Sequence, residues 1–203
     1  RQNNLPDMIA NISVHESGHA VAYSLLLGVA PLQLKSRVAS SYAGGFSFPH
    51  QIHMSEQNVL KKIKIYLAGG LAESLIFGEE NVTIAQSFDR EDAAGLVMEY
   101  IRKFGFDRNF ASYYMSSAEY SMDMTVTDWP IEKMMKNLEQ ETQELLVQNK
   151  DYLVALSKVL FQKGSLKPQE VVEIAQKFGH TLKIHNENHL IIAPYQDTLD
   201  QQS

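Results

Sequence analysis

The stretch "ISVHESGHAVAYSLLLG", residues 12–28, places two histidines, His15 and His19, four residues apart, with Glu16 directly after the first. On an α-helix, positions four apart differ by about 40° around the axis, so both imidazoles project side by side and can reach one ion at about 2.0–2.1 Å. Glu16 stands about 100° further round, next to such an ion without binding it. Two imidazole ligands, with a carboxylate able to take a proton from metal-activated water, are the working set of a zinc peptidase. The alternative is a helix that merely carries two histidines. Most accidental strings of this kind would lie on polar surface helices, whereas this one is embedded in apolar sequence. Gly18 and Ala20 flank His19. A helix-interior glycine costs about 1 kcal/mol, so Gly18 implies that another element approaches this face closely.

A catalytic zinc centre takes three protein ligands and leaves one position open. The chain has no cysteine, so disulfides and thiolate ligands are excluded and the third ligand must be His, Asp or Glu. Glu73, in "LAGGLAESLIFG", and Asp89, in "QSFDREDAAGLVMEYIRKFG" with Asp92 close behind, are carboxylates set among apolar residues. Asp89 shares a helical face with Ala93, Leu96 and Tyr100, where an uncompensated charge is costly and needs a metal or cationic partner. Its bland reading is a first-turn acid favoured by the helix dipole. Glu73 faces Leu67 and Ile76 and suits either a ligand or an acceptor behind a ligand histidine. Chemistry alone does not choose between Glu73 and Asp89.

Helices must carry these groups. Pro6 opens and Gly28 closes a first one over residues 6–27; a second runs from Ser55 to Phe77, stopped by Gly78. A third follows Ser87, read as its N-cap, and ends near Gly105. Residues 129–163 read as two antiparallel amphipathic helices, and "KPQEVVEIAQKFG" as one more. Between the first two helices, residues 29–50 hold β-branched and aromatic residues around Gly44-Gly45, which reads as short strands or a hairpin. The tail, residues 180–203, alternates in "TLKIH" and "HLIIA", which suggests a small hairpin before a polar, disordered end. The expectation is a mainly α domain over residues 1–179, with a small β-hairpin or edge strand near residues 32–48, and an appended tail.

At 203 residues, 44% hydrophobic and 21% charged, the chain has the composition of one soluble globular domain. A net charge of -6 and the lack of a basic run interleaved with aromatics argue against nucleic acid. The longest apolar stretch is broken by Ser24, Gly28 and Pro31, too short for a bilayer span. His50 and His53 read as solvated loop residues, and His180, His185 and His189 as surface residues without convergent geometry. Met134-Met135 and Met122/Met124 read as core or interface filler.

Taken in order over roughly residues 9–178, "HESGHA", "YAGGFSFP", "LAGGLAESLIFG", "VTIAQSFDREDA" and "LLVQNKDYLVALSKVLFQKGSLKPQEVVEI" resemble the peptidase domain of FtsH-type ATP-dependent zinc metalloproteases, the membrane-anchored AAA proteases. The resemblance implies a helical, zincin-like domain with one Zn2+ held by His15, His19 and Asp89, Glu16 as the catalytic base, and Glu73 behind a ligand. It implies that Gly45, Phe46, Ser47 and Phe48 form an edge that holds extended, unfolded polypeptide through main-chain hydrogen bonds. It also implies a homo-hexameric ring, with an AAA ATPase module upstream. The setting would be the cytoplasmic face of a bacterial inner membrane, or an organelle matrix.

No G-x-x-x-x-G-K-[ST] string occurs, so no ATP site of that kind is expected here. A chain opening on Arg1 makes a piece of a longer protein the expectation. The sequence departs from the family's pattern at Gly70, where arginine is usual, at Ser74, where glutamate is usual, and at Phe88, where asparagine is usual. These departures bear on subunit packing and on the surroundings of the ligands, and remove no ligand. The rival readings are a stand-alone, ATP-independent peptidase of the same fold and a non-catalytic, ring-forming scaffold or regulatory module.

Overall fold

The computed structural model describes residues 5–36, 45–114 and 123–203. Among them the chain forms seven α-helices: α1 (Pro6–Leu27), α2 (Glu56–Phe77), α3 (Ala85–Arg102), α4 (Asp128–Gln148), α5 (Lys150–Lys163), α6 (Pro168–Gln176) and α7 (Tyr195–Asp200). Four strands of two residues each complete it: β1 (Leu34–Lys35), β2 (Gln51–Ile52), β3 (Ser165–Leu166) and β4 (His189–Leu190). This is the mainly α domain expected.

Helix α1 begins with Pro6 in its first turn, where a missing N–H costs nothing. It ends at Gly28, whose left-handed φ of 75° lets its N–H reach the Ser24 carbonyl. From Ile12 to Ser24 it is buried almost all round, which makes it the central helix. Helix α2 starts at Ser55, whose hydroxyl accepts the Asn58 N–H. It then divides the interior. Ile65, Ala68 and Ala72 join the main core with α1, α5 and α6, while Val59, Ile63 and Leu67 join a second core with Ala93 and Val97 of α3 and Leu138 of α4. Met134 and Met135 pack against that second core.

The first two helices touch through small residues. A Cβ on Gly18 would lie 2.5 Å from the Ala72 Cβ and 2.6 Å from the Ala68 carbonyl oxygen. Glycine there is a packing requirement that sets how near the histidine-bearing face comes to α2.

The two helices expected over residues 129–163 are present as α4 and α5, packed chiefly on α2 and on α1 respectively. Two local expectations are corrected. Ser87 is not the cap of the third helix. That helix starts at Ala85, and the Ser87 hydroxyl donates to the Ile84 carbonyl within the first turn. The tail forms no hairpin. Its β4 lies parallel to β2, with Gln51 opposite His189 and Ile52 opposite Leu190, and Lys183 exchanges backbone hydrogen bonds with Gly28 and Ala30. An isolated two-stranded hairpin is marginal in water, whereas this arrangement lets Leu182 and Leu190 join the main core. The end of the chain folds as α7.

The β-element expected near residues 32–48 is represented by β1, paired antiparallel with the distant β3 through Leu34–Leu166 and Lys35–Ser165. Residues 37–44, including Gly44, and Met122 lie outside the described residues. Residues 45–48 pair with no other strand among the described residues.

Helix propensity alone says that Gly18→Ala should stabilise by about 1 kcal/mol. The 2.5 Å contact reverses the sign, and we expect the variant to unfold at lower denaturant, with a loss of about 1–3 kcal/mol from overpacking. An urea titration followed by circular dichroism decides between the two.

Candidate metal centre

His15 and His19 lie on the same face of α1, both fully buried. Their outer nitrogens are fixed first. His15 Nδ1 meets Glu73 Oε2 at 2.6 Å, and His19 Nδ1 meets the Ile65 carbonyl oxygen at 2.7 Å. Since both partners can only accept, each Nδ1 carries the hydrogen and each Nε2 is left as the nitrogen that faces inward. The two Nε2 atoms stand 3.1 Å apart, and Asp89 Oδ2 lies 2.9 Å from one and 3.0 Å from the other.

Asp89 arrives from α3, where it sits beyond the first turn and is 1% exposed. The helix dipole therefore does not account for it. Its face is the buried one, as the apolar pattern with Ala93 implied. Glu73, equally buried on α2, stands behind His15: its second oxygen accepts from Asn11 Nδ2 at 2.7 Å and from both the N–H and the hydroxyl of Thr83 at 3.0 Å. Asp92 is exposed and outside the cluster.

The fit to a cation is tested by three features. Two imidazole nitrogens and one carboxylate oxygen, all within 4.8 Å of one another, are a donor set of the kind that holds a divalent ion. Around a tetrahedral ion with bonds of 2.0–2.1 Å, such atoms lie ~3.3 Å apart, close to the separations seen. Gly69 supplies the second feature. A Cβ there would lie 2.5 Å from His19 Nε2 and 2.6 Å from His15 Nε2, so its absence leaves the space against both nitrogens open. Third, Glu16 Oε1 is buried and accepts no hydrogen bond among the described residues. Glu16 borders a cleft of about 300 Å³ that is also lined by Leu34, Lys35, Gly45, Phe46 and Ser47.

The sequence reading missed Gly69. Its signal was present, an adjacent pair of glycines inside a helix, each at a cost of about 1 kcal/mol. It also misplaced His50, which is 1% exposed. The Tyr23 hydroxyl donates to His50 Nδ1, and His50 Nε2 donates to the His185 carbonyl at 2.7 Å, because the tail covers this segment. His53 and His189 are exposed. Among the described residues His15, His19 and Asp89 are the sole metal-type cluster. Gly70 and Ser74 line a separate cavity of about 230 Å³ that reaches Asp89 from the other side, and Phe88 is 37% exposed.

The charges are tightly linked. Burial opposes a proton on His15, yet Asp89 and Glu73 against its two nitrogens lift its pKa to about 9 in the metal-free chain. Burial also opposes charge on Asp89 and Glu73. The imidazoles nevertheless hold the Asp89 carboxyl far below the usual range, and hydrogen bonds from His15 and Asn11 lower that of Glu73.

The sequence model of peptidase family M41 matches residues 8–174. The chain is 34% identical over 170 residues to the ATP-dependent zinc metalloprotease FtsH of Lachnoclostridium phytofermentans, which covers 80% of this chain and 29% of that protein. It is 30% identical over 172 residues to the ATP-dependent zinc metalloprotease FtsH 1 of Alkaliphilus metalliredigens, covering 81% and 29%. It is 26% identical over 185 residues to the mitochondrial inner membrane m-AAA protease component yta12 of Schizosaccharomyces pombe, covering 83% and 23%. The chain thus spans less than a third of the length of these curated relatives. No helix of the described residues is long and apolar enough to cross a membrane.

Two outcomes are expected. Gly69→Ala should bind metal about 100-fold more weakly, as large an effect as losing a group that orients a ligand, because its methyl would press on both inward nitrogens; competition with a chromogenic chelator reads the change. In excess chelator, the stabilising effect of a raised His15 pKa is complete below its unfolded value of about 6.5 and is lost as pH rises through about 9. That of the depressed carboxylates is complete above about pH 4–4.5 and is lost as pH falls. The thermal midpoint should therefore be highest between about pH 5 and 6.5. A midpoint unchanged from there to pH 9 would mean that no proton is shared among these groups.

Proposed function

The chain belongs to peptidase family M41, and from that footing we propose that it is a zinc-dependent endopeptidase domain of the FtsH type. The observation that carries the reading is the convergence of His15 Nε2, His19 Nε2 and Asp89 Oδ2 within 3.1 Å of one another, beside the unpartnered carboxylate of Glu16. His15, His19 and Asp89 would hold the ion, and Glu73 fixes the tautomer and orientation of His15. Zinc, when bound, supplies Lewis acidity at neutral pH, which acidifies water and polarises a carbonyl.

The rest is done by the chain's own groups. Glu16, at the floor of the cleft, accepts the proton of the attacking water and passes it to the departing amine. His15, His19 and Asp89 are all buried, which keeps bulk water from the inward nitrogens. Gly45, Phe46 and Ser47 border the same cleft, and residues 45–48 pair with no strand among the described residues, which supports the segment's use as an edge for an extended substrate. Reading main chain more than side chain suits unfolded polypeptides of varied sequence.

In the longer protein, an ATPase module upstream feeds such chains to a ring of six copies, attached to a membrane whose inner or matrix side bears the domain. The relatives' names support the ATP dependence and the zinc, and one of them, the mitochondrial inner membrane m-AAA protease component yta12, supports the membrane. A non-catalytic scaffold would have no use for a half-buried glutamate whose Oε1 is buried without a hydrogen-bond partner among the described residues.

Glu16→Gln should retain zinc and lose casein cleavage by about 10³-fold, within the range of general-base loss. Cleavage at the original rate would reject Glu16 as the base, and loss of zinc would place it among the ligands.

A further inference from the structure

Asp89 has two carboxylate oxygens, and only Oδ2 faces the imidazoles. The other, Oδ1, accepts the main-chain N–H of Phe46 at 2.8 Å. The ring of the same residue lies over His19, with centroids 4.5 Å apart and planes 28° from parallel. One residue of the cleft wall therefore touches two members of the metal cluster, the carboxylate through its backbone and an imidazole through its side chain.

The residue before it makes this approach possible. Gly45 has φ +77°, which L side chains rarely adopt, and a Cβ there would come within 3.0 Å of Asp92 Oδ2, 3.3 Å of the Phe88 Cβ and 3.4 Å of Asp89 Oδ1. Phe46 is itself held from the far side. Phe48 meets it edge-on at 4.9 Å, Tyr66 at 6.5 Å, and Tyr23 lies tilted at 6.3 Å.

On the reading that the cluster binds zinc, we infer that Phe46, presented by Gly45, is a positioning residue of the metal centre, where the resemblance had implied a substrate contact through its main chain. Its N–H is engaged by the ligand carboxylate and is not offered to a peptide. That hydrogen bond fixes which Asp89 oxygen faces the rings, and disfavours a carboxylate turned to present both oxygens. The stacked ring limits rotation of His19 about the axis that its Nδ1 bond to Ile65 leaves free. Main-chain pairing with a substrate then falls to Ser47 and Phe48. The cleft wall and the ion are mechanically one unit, so displacement of this segment loosens Asp89 and His19 together.

The test measures the metal, apart from turnover, in the full 203-residue chain. Zinc affinity is read by competition with a chromogenic chelator, and ligand geometry by the visible absorption of the cobalt(II)-substituted protein. Phe46→Ala and Gly45→Ala should each bind zinc about 10–100-fold more weakly, the range for removing a group that orients a ligand, with an altered cobalt spectrum. Phe46→Tyr keeps the N–H and the ring and should stay within about threefold of the unchanged chain. Val97→Ala, in the second core and away from the cluster, reports how much affinity is lost through general loosening, and should also stay within about threefold.

The inference is overturned if Phe46→Ala and Gly45→Ala bind zinc as the unchanged chain does with the same spectrum, or if Val97→Ala loses as much as they do. An unchanged chain that binds no zinc overturns the metal reading itself, and this inference with it.

Discussion

Three lone pairs pointing at one another inside a dry interior cannot persist without a positive charge between them. That constraint governs the molecule. Both imidazoles have committed their Nδ1 hydrogens to acceptors behind them, Glu73 and the Ile65 carbonyl, so neither Nε2 has a hydrogen to offer Asp89 unless one ring takes up a proton. A proton satisfies part of the arrangement, and against the opposing effect of burial the carboxylates on either side of His15 raise its pKa to about 9 in the metal-free chain. A divalent ion satisfies all three donors at once. The remaining architecture serves to bring these atoms together and to keep other matter from filling the gap.

Helix α2 does most of that work. It lends the Ile65 carbonyl to His19, Glu73 to His15, and at Gly69 a missing side chain where a methyl group would press on both rings. At the same time it separates two cores. A helix used on every side tolerates little change, and its glycines and alanines give up helix propensity to allow close approach to α1 and to the imidazoles. Asp89 comes from α3, which shares the second core with α2, so the cluster of His15, His19 and Asp89 bridges the elements of both cores.

The helices and the two histidines were legible because their signals are local: helical spacing of apolar residues, proline at an opening turn, glycine at a close, and ligands four positions apart. Asp89 and Glu73 were both flagged by charge in apolar surroundings, but their different roles depend on which side of the His15 ring each approaches, and no spacing in the sequence contains that. His50 was misread for a similar reason. The residues that bury it come from the far end of the chain, and "FPHQIH" carries no trace of them. The tail misled because alternating residues suit a hairpin and an added strand equally well, and the choice is made by where Leu182 and Leu190 find burial. Ser87 shows the same limit on a smaller scale, as a good capping residue that sits within the first turn of its helix.

The hydrogen bond from His50 to the His185 carbonyl spans 135 residues, and β4 adds a parallel strand beside β2 just after it. The approach to the cleft is therefore braced by sequence that leaves the ribosome long after the histidine helix. During synthesis His15, His19 and Asp89 can meet before this brace exists, and the chain just after Phe48 gains its anchor through His50 and β2 only when residues 185–190 dock. Synthesis order alone thus places the bracing of this wall after the meeting of the buried cluster, so the two need not form together.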